Sequence, residues 1–65
     1  MTQFEYDKLM NTLARALRTQ RRFIELLRSV PLSDGKTAYL VKFRGFYRYC
    51  VTLRGYDFVE LARSI

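Results

Sequence analysis

Pro31 separates two hydrophobic rhythms, and this change of period limits the fold more than any other feature of the chain. Before it, Tyr6, Leu9, Met10, Leu13, Ala16, Leu17, Gln20, Phe23, Ile24 and Leu27 share one side of a helix turning by about 100° per residue. After it, from Thr37 to Leu53, β-branched and aromatic residues alternate with others on both sides of Gly45.

The first rhythm predicts a long helix starting near residue 3. Thr2-Gln3-Phe4-Glu5 fits a capping box, in which the hydroxyl and the carboxylate each satisfy a free backbone N–H. Early acids, Glu5 and Asp7, and late bases, Arg21, Arg22 and Arg28, both suit the helix dipole. Proline restricts the residue before it, so this helix is expected to stop near Ser29. Ser33-Asp34-Gly35 supplies turn chemistry. The second rhythm predicts a hairpin with a three-residue loop of Phe43-Arg44-Gly45. This places Thr37, Tyr39 and Val41 on one face with Tyr47, Tyr49, Val51 and Leu53. Lys42 would then oppose Phe46, and Leu40 would oppose Arg48. After Arg54-Gly55, the spacing of Phe58, Leu61, Ala62 and Ile65 predicts a short C-terminal helix. The expected fold is α+β, in the order α-β-β-α, with both helices on the Tyr39/Val41/Tyr47/Tyr49/Val51 face.

Size decides what must support such a fold. With 65 residues the chain is one small domain, 1–65, whose core is thin. Folds of this size lean on disulfides, a metal or association. Cys50 is the single cysteine and histidine is absent, so neither an internal disulfide nor an ordinary zinc site is expected. No cofactor is implied, and association, as a homodimer, is the support that remains. Ala38, Leu40, Phe46 and Cys50 are apolar for an outward-facing ribbon, which makes Leu40, Phe46 and Cys50 a candidate partner interface.

Twelve Lys and Arg against six Asp and Glu leave a net charge of +6, which favours polyanionic partners. Lys8, Arg15, Arg18 and Arg22 fall opposite the apolar side of the predicted helix. Lys42, Arg44, Phe46 and Arg48 gather near the hairpin tip. Arginine's planar fork suits phosphate oxygens, and an aromatic ring among the bases suits stacking. The competing structural reading has the bases forming a solvated face and Phe43 and Phe46 closing the core.

Neither a Gly-rich phosphate loop nor a nucleophile elbow occurs, and the six acids are scattered, so catalysis is not expected. Met1 to Lys8 has no apolar run, hence no signal peptide is expected, and no stretch has the length to cross a bilayer. A basic helix lying on an anionic membrane is not expected either, because its apolar face is needed for the hairpin. A lone thiol suits the cytoplasm. The leading expectation is a small cytoplasmic nucleic-acid-binding protein that contacts phosphates of DNA or RNA. The alternative is a protein-interaction module, a regulator, inhibitor or assembly factor that docks on an acidic or apolar protein surface.

Overall fold

A computed structural model describes residues 1–64; Ile65, assigned above to a C-terminal helix, lies outside the described residues. One helix, α1 (Gln3–Leu17), is followed by a single 3₁₀ turn (Arg21–Phe23) and four strands. These are β1 (Ile24–Pro31), β2 (Lys36–Phe43), β3 (Tyr47–Arg54) and β4 (Asp57–Arg63), hydrogen-bonded in the order β1-β2-β3-β4, each antiparallel to its neighbour.

The start of α1 follows the local chemistry. The Glu5 N–H donates to the Thr2 hydroxyl at 3.1 Å, and the Thr2 N–H donates to the Glu5 carboxylate at 3.2 Å, which completes the capping box. The helix ends twelve residues earlier than expected, at Leu17 rather than Ser29. Arg18 takes a left-handed conformation (φ 54°), its N–H donates to Arg15 O at 3.2 Å, and the Thr19 N–H donates to Ala14 O at 2.9 Å. This double bond to the last carbonyls closes the helix.

A helix running on to Ser29 would be about 40 Å long. The whole molecule measures 30 Å along its longest axis, so such a helix would project its second half past any surface able to bury it. Pairing as β1 instead gives Ile24 and Leu26 a place against Phe43 and Val41. The expected C-terminal helix is likewise replaced by β4, which pairs with β3. The α-β-β-α order gives way to α-β-β-β-β because a two-stranded hairpin is marginal in water and two more strands complete a sheet that can carry a core.

The face assignment of the central hairpin holds, but its register differs. Phe43 pairs with Tyr47, Lys42 with Arg48, Val41 with Tyr49 and Leu40 with Cys50. The loop is Arg44-Gly45-Phe46 rather than Phe43-Arg44-Gly45, so Lys42 does not oppose Phe46, nor Leu40 Arg48. Shifting both strands by whole pairs preserves which side chains share a face.

On the inner face, Leu9, Met10, Leu13 and Ala14 of α1 pack with Ile24, Val41, Val51 and Leu53. Leu13, Val41, Val51 and Leu53 are fully shielded, each contributing about 1.5–3 kcal/mol of transfer free energy. Tyr39 and Tyr49 border this cluster, whereas Tyr47 stands exposed. No second helix covers the sheet among the described residues. No helix there is long and apolar enough to cross a membrane.

Candidate functional site

The meander brings the chain to one end of the sheet three times, at the entry to β1, at the β2–β3 turn and at the end of β4, where the Ser64 N–H donates to Arg48 O at 2.8 Å, and that end collects bases and rings. The turn demands left-handed backbone at two successive residues, Arg44 (φ 54°) and Gly45 (φ 87°). Glycine adopts this freely; an arginine there carries about 1–2 kcal/mol of strain. The Arg44 N–H donates to Phe23 O at 2.9 Å, tying the turn to the 3₁₀ segment. Its guanidinium carbon lies 4.5 Å from the Phe23 ring centroid and 5.4 Å from that of Phe43. The Arg22 guanidinium carbon lies 4.9 Å from the same Phe23 centroid. Two cations thus converge on one ring.

Arg22, Lys42 and Arg44 line an open groove of about 690 Å³, with Glu25 as its one carboxylate. In the ladder Lys42 stands between Arg48 on β3 and Glu25 on β1, so the like charges of Lys42 and Arg48 are offset in part by the neighbouring Glu25 carboxylate. No ion pair neutralises these four bases; among the described residues the one ion pair is Arg21–Asp7, at 2.9 Å. The sequence explains the imbalance, since no Asp or Glu occurs between Asp34 and Asp57 while Lys36, Lys42, Arg44, Arg48 and Arg54 do.

Beyond the groove stands Phe46, 69% exposed, its ring centroid 4.3 Å from that of Tyr47. Tyr47 in turn lies 6.3 Å from Phe43, which lies 6.3 Å from Tyr49. The rings form a chain from the tip toward the core. Phe43 is half-buried and Phe46 is exposed, and neither is among the residues packed against the core cluster.

The predicted helical stripe does not exist as one surface. Lys8 and Arg15 are on α1, Arg18 is the residue that ends it, and Arg22 belongs to the 3₁₀ turn at the other site. Lys8 Nζ sits 4.4 Å above the Tyr56 ring, and Arg15 and Arg18 line a second hollow, of about 390 Å³, with Tyr56, Asp57 and Phe58. The three bases flank β4, apart from the hairpin tip. Of the predicted partner interface, Leu40 and Cys50 are opposed on the outer sheet face and half-buried, while Phe46 lies away from them at the tip.

Phe23, Tyr47, Tyr56 and Phe58 join these sites although the sequence pattern does not single them out. Phe23 is hidden by its fit to the helical spacing, and only its position between Arg22 and a strand signals its role. Arg21 serves the fold instead, since its guanidinium donates to Asp7 at 2.9 Å and to Asn11 at 3.5 Å, binding the 3₁₀ turn to α1. That guanidinium, followed by the Gln3 amide, holds the Asp7 carboxyl below its ordinary range. The Thr2 backbone N–H and hydroxyl do the same for Glu5. Among the described residues no cluster of three or more acids, cysteines or histidines is placed to hold a metal ion. Comparison with protein families, with curated proteins and with solved structures finds no match for this chain.

Proposed function

We propose that this protein is a small nucleic-acid-binding module whose phosphate contacts are made by Arg22, Lys42, Arg44 and Arg48 at the hairpin-tip end of the sheet. The observation that carries the reading is the convergence of Arg22 and Arg44 on the Phe23 ring, with no carboxylate paired to either. Contact with the ring restrains both guanidinium groups without pairing them to a carboxylate, and their N–H donors suit bidentate phosphate contact. Lys8, Arg15 and Arg18 extend the positive potential along the β4 flank and add attraction at longer range. The module works by binding rather than by catalysis, in a reducing cytoplasm that keeps Cys50 a free thiol.

The test is an anisotropy titration of labelled DNA and RNA across salt concentrations. Neutralising about four phosphates, one for each of Arg22, Lys42, Arg44 and Arg48, implies a slope of log K against log salt of about −3.6 on duplex DNA. An Arg22→Ala/Arg44→Asn double variant is expected to bind at least about tenfold more weakly and with a shallower slope. A folded double variant with unchanged affinity overturns the reading.

A second reading, a protein-interaction module, is favoured by β4. It is an edge strand exposed along its whole length, with Phe58, Val59 and Leu61 at 53%, 39% and 41% exposure. Unpaired edges of this kind recruit another strand, including that of a second copy. Sedimentation that stays monomeric at all concentrations, with no nucleic-acid dependence, removes the homodimer from this reading.

A further inference from the structure

We infer that the ligand of the hairpin tip is a single-stranded nucleic acid, with one base stacked on Phe46 and the neighbouring phosphates held by Arg22, Lys42 and Arg44. The inference rests on the nucleic-acid reading above and narrows it to one polymer form.

Three phenylalanines of this protein are more than half exposed: Phe4, Phe46 and Phe58. Phe4 precedes Glu5, and Phe58 follows Asp57, so each carries a carboxylate beside it. Phe46 alone has bases on both sides, Arg44 and Arg48, and no acid nearer in sequence than Asp34 or Asp57. An exposed ring costs free energy in water, and a ring flanked in sequence by two arginines is matched by a partner that is both anionic and flat-faced. A nucleotide is such a partner.

The ring is also held in place. Tyr47 backs it at 4.3 Å between centroids, tilted by 45°, while the residue stays 69% exposed. Arg44 and Phe46 are two residues apart, which limits their Cα separation to about 7 Å. That is the scale of a single nucleotide, and the adjoining Gly45 lines the groove together with Arg22, Lys42 and Arg44, so phosphates next to a base on Phe46 come within reach of these bases.

Strand number follows from base accessibility. In a duplex the base faces are covered by their stacked neighbours, whereas a single strand offers them to aromatic side chains. A ring displayed on a strand turn with phosphate-binding groups on one side therefore matches an unpaired strand. Duplex contact would use the bases of the tip and leave Phe46 unemployed.

The experiment measures anisotropy of labelled single-stranded DNA, single-stranded RNA and duplex DNA of the same length, with wild type, Phe46→Ala, Phe46→Tyr and Arg44→Asn. Phe46 is mostly solvated, so Phe46→Ala is expected to fold, and circular dichroism on the same samples verifies this. The expected result is single-strand binding at least about tenfold tighter than duplex binding. Phe46→Ala should weaken the single-strand complex at least about fivefold while leaving the duplex complex unchanged, and Phe46→Tyr should retain it. The two single-stranded arms identify the sugar. Equal or tighter duplex binding, or a single-strand affinity indifferent to Phe46→Ala, overturns the inference and leaves backbone binding standing. Absence of binding to all three polymers at about 50 mM salt overturns the nucleic-acid reading itself.

Discussion

Two turns at opposite ends of the same sheet make the same backbone demand and meet it with different residues. Between β1 and β2, Asp34 and Gly35 take φ values of 62° and 73°; between β2 and β3, Arg44 and Gly45 take 54° and 87°. Aspartate tolerates the left-handed region because its short side chain bonds locally, and it is a usual choice there. Arginine has no such compensation. The first turn is chosen for stability, while the second keeps a strained residue whose guanidinium lies over Phe23 and Phe43. Strain of this kind accumulates where a side chain is needed in one place. Backbone geometry is thus common to both ends, and residue choice separates a structural end from the one proposed to bind a ligand.

The largest effects test the part the turns share. Gly35→Ala and Gly45→Ala should each cost about 1–2 kcal/mol, because both glycines sit at positive φ. A Cβ would meet nothing within 4 Å at either position, so the cost is conformational and should be similar for the two. Urea denaturation of both variants gives the comparison, and a difference well above about 1 kcal/mol would break the equivalence of the turns.

Exchanging residue types probes the part they do not share. Arg44→Asn relieves left-handed strain but loses the contact with Phe23, so stability should rise by no more than about 1 kcal/mol. Affinity for nucleic acid should nonetheless fall several-fold. Asp34→Arg should cost up to about 1 kcal/mol and, placed in the Arg44→Asn background, should fail to restore binding although it returns positive charge. Restoration would mean that total charge, not its location, governs affinity.

The smallest expected effect concerns acid. Folding holds the Asp7 and Glu5 carboxyls below their ordinary range, so their charged forms are favoured in the folded chain. Their stabilisation is complete above the ordinary carboxylate range and is lost as the pH falls through the depressed values, below about pH 4. Asp7 tethers the segment leading to Arg22, while Glu5 caps the helix. The melting temperature should therefore fall on acidification, and less so in Asp7→Asn. An identical acid profile in that variant would show that the Arg21 tether contributes nothing.

How far the sequence can be read depends on particular residues. Thr2 and Glu5 mark the helix start, and the alternation around Gly45 assigns the faces of β2 and β3. The two elements that the sequence pattern misrepresents are both edge strands. In β1, Ile24 and Leu27 continue the apolar spacing of α1, and in β4 a bulge at Val59 puts Phe58 and Leu61 on the same face. One extra residue turns a spacing of two into a spacing of three, which imitates a helix. The site is legible in part, since Lys42, Arg44, Phe46 and Arg48 stand together around the turn in the sequence itself. Arg22 fits a helical spacing instead, and the stripe it would complete dissolves once α1 ends at Leu17.

The sequence by itself determined the helix start, the inner and outer faces of the central hairpin, the positive charge and its excess near the hairpin tip, because capping, alternation and composition act over a few neighbouring residues. Only the tertiary structure decided that residues 24–31 and 57–63 are strands and that Arg22 joins Arg44 at Phe23. Those outcomes depend on where apolar surface can be buried and backbone groups paired, which only partners distant in the chain supply.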